Sequence, residues 1–144
     1  TVNILVDAMG DESAYGFSVS YNQAILTNPV TAIGTAGGSR LCNTTTTPGQ
    51  INCSIINFPD NNPSSSTDQI GEIRQGSNQR LLQITFTIAA DAPSGMTPIN
   101  LSNVNASDDA ANNLEITSQN GAVTILGPTS AAVSISGRLL TSDG

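Results

Sequence analysis

Leu81-Leu82-Gln83-Ile84-Thr85-Phe86-Thr87-Ile88 is the stretch that decides the fold of this chain. From Leu82 onward apolar and polar residues alternate, which puts Leu82, Ile84, Phe86 and Ile88 on one face of an extended strand and Gln83, Thr85 and Thr87 on the other. A period of two is the signature of a half-buried strand and is incompatible with a helical stripe. The pattern repeats outward in both directions, in Val2, Ile4 and Val6, in Phe17 and Val19, and in Ile51, Ile55 and Phe58. Strands are predicted near 2–8, 15–21, 30–34, 40–43, 51–58, 70–74, 80–90, 97–102, 113–117, 121–126 and 132–140. The breakers between them have mechanisms. Pro59-Asp60-Asn61-Asn62-Pro63 and the three serines after it cannot pair in a sheet, and Asp91-Ala92-Pro93-Ser94-Gly95 reads as a turn. The longest loop is expected at about 59–69. Two sheets packed face to face are the simplest way to bury so many strands. With two Tyr, three Phe and no Trp, the core must be mostly Ile, Leu, Val and Ala.

Composition narrows the chemistry. The 144 residues suffice for one domain with a real core. Charged residues are only 10% of the chain while Ser, Thr and Asn number 48, so hydroxyls and amides supply solubility, as suits a β surface outside the cell. The balance is acidic, with 11 Asp and Glu against 4 Arg and no Lys, which speaks against nucleic-acid and anionic-membrane partners. Without His there is no Ser-His-Asp or Cys-His site, and without Lys no Schiff-base amine. Acids are present, but no aromatic sugar platform or second partner marks a paired-carboxylate site, so no enzyme is expected. No stretch approaches a membrane span, and Thr1 heads neither a signal peptide nor an untrimmed chain, so a processed or trimmed form is expected.

Cys42 and Cys53 enclose ten residues rich in Thr and Asn, Asn43 to Asn52. The pair lacks the further ligands of a metal site and the spacing of a redox motif. A disulfide across a hairpin is the favoured reading, with two buried free thiols as the alternative. If it forms, it stabilises the fold by up to roughly 3 kcal/mol in the chain-entropy model and implies an oxidising, extracellular setting.

Three stretches together resemble the cohesin family of bacterial surface proteins. They are Gly16-Phe17-Ser18-Val19-Ser20-Tyr21-Asn22-Gln23-Ala24-Ile25-Leu26, the strand and Pro-Gly turn from Leu81 to Gly95, and Leu114-Glu115-Ile116-Thr117-Ser118-Gln119-Asn120-Gly121-Ala122-Val123-Thr124-Ile125. Asn22-Gln23 stands where the family has an acidic residue and Pro. The resemblance spans about 2–126 and implies a jelly-roll-like β-sandwich with a non-catalytic role in holding proteins together. It does not by itself imply a dockerin partner.

The two ends look complementary. The resemblance implies one more strand ahead of Thr1–Ala8, while Ala132-Val133-Ser134-Ile135-Ser136-Gly137-Arg138-Leu139-Leu140 reads as a strand with no following partner. That segment also resembles the opening of a carboxypeptidase-regulatory-like module. The expected division is therefore a cohesin-like sandwich at 1–126 and a linker with a C-terminal strand at 127–144. An unpaired apolar strand must dock or become an aggregation hazard. The expectation is that Val133, Ile135 and Leu139 enter the sandwich of the next copy, so that the chain assembles head to tail into an extracellular filament. The alternative is a cohesin-like module of a larger surface protein that captures a separate partner, another extracellular protein.

Other candidate sites each have a plainer reading. Asp7, Asp11 and Glu12, with Asp108 and Asp109, could form an oxygen-rich calcium site, or simply a solvated acidic rim; no other cofactor is indicated. Asn43, Asn52, Asn100 and Asn105 fit the N-glycosylation pattern, which chance produces often in so Asn-, Ser- and Thr-rich a chain. Thr44–Thr47 could carry O-linked sugar or form a solvated loop. Tyr15 and Tyr21 are expected in the core rather than at a contact surface.

Overall fold

The computed structural model describes residues 1–57 and 71–127. Among these residues the chain forms nine strands and no helix: β1 (Val2–Ala8), β2 (Ala14–Tyr21), β3 (Leu26–Ile33), β4 (Ser39–Asn43), β5 (Gln50–Ile56), β6 (Gly76–Ile88), β7 (Gly95–Ser107), β8 (Asn113–Leu114) and β9 (Gly121–Ile125). One sheet has the order β1-β6-β3. The other runs β4-β5-β2-β7, with β8 and β9 paired to separate stretches of β7. All pairings are antiparallel.

The period-two pattern places the core where the sequence predicts it. Leu82 and Ile84 on β6 face Val19 on β2 and Ile51 and Ile55 on β5, all fully buried. Tyr15 and Phe17 are buried as well, and Tyr21 is half-buried against Phe86 with ring centroids 4.8 Å apart. The alternation fails at Ile88, which is 51% exposed because β6 runs out of sandwich there. Leu81 breaks it differently. Ile4 pairs with Leu82 and Leu5 with Arg80, so β6 carries an extra residue and Leu81 turns inward beside Leu82.

Bulges set the shape of both sheets, and three of them coincide with an Asn in the left-handed region. Asn28 (φ 48°) lies where β3 slips against β6, Asn78 (φ 55°) where β6 slips against β1, and Asn103 (φ 51°) where β7 slips against β2. A short amide side chain tolerates this conformation better than other non-glycine residues. At Asn78 the bulge is pinned by its N–H donating to Asp7 Oδ1 at 2.7 Å, and at Asn103 by its Nδ2 donating to Ser18 Oγ at 3.3 Å. Gly16 belongs to the same arrangement, since a Cβ there would lie 2.7 Å from Asn105 Oδ1.

Several boundaries differ from the sequence reading. β3 begins at Leu26 rather than 30, because the Asn28 bulge keeps Pro29 within an edge strand. β7 extends to Ser107 rather than 102, since pairing with β2 resumes beyond Asn103. No strand forms at 71–74; the segment is a loop whose Ile73 plugs the core while its N–H donates to the Glu12 carbonyl at 2.8 Å. The strand predicted at 113–117 pairs only at Asn113 and Leu114. Phe58, the whole of the loop expected at 59–69 and the strand predicted at 132–140 lie outside the described residues.

Candidate functional site

The two sheets are unequal in width, and the mismatch creates a groove. Three strands face four strands plus the β8 and β9 pair, so the inner face of β7 runs out beyond the edge of β1. The space left is about 720 Å³. β1 forms one wall. The other is the segment 114–121, which leaves β7 after Leu114 and rejoins it at Gly121. Asn120 holds that excursion in place, its Oδ1 accepting the Leu101 N–H at 2.8 Å.

Groove residues are apolar at the base and polar at the rim. Val2, Val6, Leu101, Val104, Leu114 and Ile116 line it and are only partly buried. Segment 114–117 keeps strand periodicity, with Leu114 and Ile116 turned in and Glu115 and Thr117 out, although its pairing stops at Leu114. β1 is likewise an edge among the described residues. An edge of this kind offers backbone donors and acceptors to an incoming chain.

One end of the groove is acidic. Asp7, Asp11, Glu12 and Glu115 all line it near the β1 terminus at Ala8, where β2, β7 and β8 also meet. Glu12 is buried, and its carboxylate accepts the N–H groups of Met9 (2.8 Å) and Gly10 (3.0 Å), which fixes the turn after β1. Tyr15 is 3% exposed, lines the same end, and its hydroxyl has no hydrogen-bond partner among the described residues. Burial, then the charges of Glu12 and Asp11, pushes the Tyr15 phenol well above its ordinary value.

The sequence-predicted site residues fall in different places. Cys42 and Cys53 are opposite each other on β4 and β5 and are joined by a disulfide, with S–S 2.06 Å and Cα–Cα 4.1 Å. Asp108 is remote from Asp7 in role: it closes the 108–112 turn by accepting the Asn112 N–H (2.7 Å) and Nδ2 (2.8 Å), which lowers its carboxyl below the ordinary range. Asp109 is exposed beside it. Among the described residues no three His, Cys, Asp or Glu side chains converge as a metal would require. Asn43 caps the Thr44–Thr47 turn by accepting the N–H groups of Thr45 and Thr46, both at 3.0 Å. Asn52 accepts Ser18 Oγ–H at 2.7 Å, Asn100 is exposed, and Asn105 donates to the Asn103 carbonyl at 3.1 Å. The assembly residues Val133, Ile135 and Leu139 lie outside the described residues. Sequence reasoning missed the groove walls at Leu101 and Val104, because the bulge at Asn103 shifts the phase of β7 and hides their shared face.

Comparison with solved structures identifies the fold. The chain is similar to a type I cohesin from Clostridium thermocellum solved in a cohesin–dockerin complex, at 16% identity and a TM-score of 0.63 over 81% of this chain and 79% of that one. It is similar to CaCohA2 from Clostridium acetobutylicum at 17% identity and TM-score 0.64, covering 88% and 82%. A non-cellulosomal cohesin from the archaeon Archaeoglobus fulgidus gives 15% identity and TM-score 0.57, covering 84% and 75%. No family model and no curated protein sequence matches the chain. The fold is therefore a cohesin-like jelly roll, as the three sequence stretches implied. Among the described residues no helix is long and apolar enough to cross a membrane.

Proposed function

We propose that this chain is a non-catalytic, extracellular protein-binding module that captures an extended segment of another protein by adding it as a strand beside β1. The observation that carries the reading is the groove: an open strand edge and six half-buried apolar side chains that line one space of about 720 Å³. Main-chain pairing with β1 would supply affinity, and alternate side chains entering the base would supply register. The Cys42–Cys53 disulfide supports an oxidising setting. Likeness to a cohesin found in complex with a dockerin supports a role in holding a separate protein. The head-to-tail filament expected from the sequence is the special case in which the captured strand belongs to a second copy; the groove favours it no more than any other strand.

The test is selection of binding peptides from a displayed random library against the whole chain, followed by affinity measurement with Leu101→Arg. Capture in the groove requires that the variant lose at least about tenfold in affinity, about 1.4 kcal/mol. Binders that ignore Leu101→Arg but lose affinity on changes at the outer face of β2 and β5 would overturn the reading.

A further inference from the structure

We infer that Asn43 is a modification site, the asparagine of this chain that the fold presents to a glycosyltransferase. The sugar would come from a donor in which it is held on a lipid phosphate. The inference is independent of strand capture and concerns the opposite flank of the sandwich.

Four asparagines carry the N-glycosylation pattern, Asn43, Asn52, Asn100 and Asn105, and the fold separates them. A transferase engages the asparagine together with the hydroxyl residue two places on, so in a folded acceptor that triplet must bend and stand clear of a sheet. Asn52 lies within β5, paired to β4 on one side and β2 on the other, and Cys53 between it and Ser54 is held by the disulfide. Asn100 and Asn105 lie within β7, opposite Ser20 and Gly16 of β2. Asn105 is committed further: its Nδ2 donates to the Asn103 carbonyl at 3.1 Å, and its side chain covers Gly16.

Asn43 differs in each respect. It is the last residue of β4, and Thr44 and Thr45 already belong to the turn that follows. Asn43 and Thr45 are both exposed. The Thr45 and Thr46 N–H groups donate to Asn43 Oδ1, each at 3.0 Å, in an Asx turn that folds the triplet back on its asparagine. Asn43 Nδ2 donates one hydrogen to Thr46 Oγ1 at 2.6 Å, and its second hydrogen has no acceptor among the described residues. Transfer forms a bond between Nδ2 and the anomeric carbon of the sugar and breaks the bond from that carbon to the phosphate oxygen. The lipid phosphate leaves with the bonding electrons, and the second Nδ2 hydrogen leaves as a proton. Oδ1 and one Nδ2–H survive, so the product keeps the acceptor and the donor that all three turn bonds use.

The site also lies where a sugar has something to cover. Cys42 packs toward the core, so Leu41 and Asn43 share the outer face of β4, and Leu41 is 78% exposed. Its partner across the ladder is Ser54, too small to shield it. β4 is an edge strand among the described residues, and a bare edge invites unwanted strand addition. A bulky, solubilising sugar at the end of β4 covers Leu41 and obstructs that edge while leaving the edge at β1 untouched.

Site-resolved glycopeptide mass spectrometry of the full chain, purified from the cells that make it, tests the assignment. Sugar is expected on Asn43, with Asn52, Asn100 and Asn105 bare. A bare Asn43 overturns the inference, whether the chain carries no sugar, carries it at another asparagine, or carries it only on the hydroxyls of Thr44–Thr47. Equal occupancy at any of the other three asparagines also overturns it, because the fold would then not be what selects the acceptor. Two variants made in the same cells separate the recognition triplet from the turn. Thr45→Ala keeps the backbone N–H that Asn43 accepts but lacks the hydroxyl, so Asn43 is expected to lose its sugar, whereas Thr45→Ser is expected to retain it. Sugar that persists on Asn43 in Thr45→Ala contradicts transfer through this triplet. Should that variant fail to fold, the spectrum of the unsubstituted chain still decides.

Discussion

The two flanks of the sandwich solve the same problem in opposite ways. On the β3 and β4 flank Arg40 of β4 ties the sheets together, donating through Nη2 to the Thr31 carbonyl of β3 at 2.6 Å, and the Cys42–Cys53 disulfide locks β4 to β5 within one sheet. The connection between those strands packs so closely that a Cβ on Gly34 would fall 1.9 Å from the Arg80 carbonyl oxygen. On the β1 and β8 flank the equivalent space is a groove whose apolar walls are only half covered. Closure by covalent and main-chain contacts marks a flank built for stability, and unfinished burial marks one built to receive something.

The contrast can be broken most severely at the shared core. Leu82→Ala or Ile84→Ala should cost about 3 kcal/mol in denaturant unfolding, because both side chains are fully buried. Val2→Ala at the groove wall should cost about 1 kcal/mol; equal losses at the two sites would erase the distinction between core and groove. Next comes the closed flank. Reducing Cys42–Cys53 should cost roughly 3 kcal/mol or somewhat less, for a separation of 11 residues. Peptide capture at the other flank should persist in the reduced chain wherever it remains folded.

A smaller effect sharpens the open flank. The Tyr15 phenol is held above its ordinary value by burial and by Glu12 and Asp11, so the folded chain keeps a proton that the unfolded chain releases near pH 10. Its contribution is complete below that pH and is lost as pH rises above it, by at most about 1.4 kcal/mol per pH unit. Tyr21, raised by burial alone, acts in the same direction. Tyr15→Phe should flatten the alkaline decline measured by denaturant midpoints from pH 9 to 11. It should cost little near neutrality, since the hydroxyl it removes has no partner to lose.

The same contrast explains what the sequence made legible. Leu82, Ile84, Val19, Ile51 and Ile55 announce themselves because a core strand writes its environment into its own period. The cysteine pair was readable from spacing and composition, and the structure pairs it. The groove was not readable, because it depends on the difference in width between two sheets and on bulges that appear only when partner strands are counted against each other. Asn78 and Asn103 look like loop residues in sequence, yet they mark slips inside strands. The alternation at Leu114 and Ile116 correctly signalled a strand-like segment, but its pairing stops at the groove wall.

The most direct test of the central claim is hydrogen exchange on the whole chain bound to a library-selected peptide, compared with the chain alone. Strand capture beside β1 requires new protection at residues 2–8 and 114–121, with β4 and β5 unchanged. Protection confined to β4, β5 and the outer face of β2, with β1 exchanging as before, would contradict it.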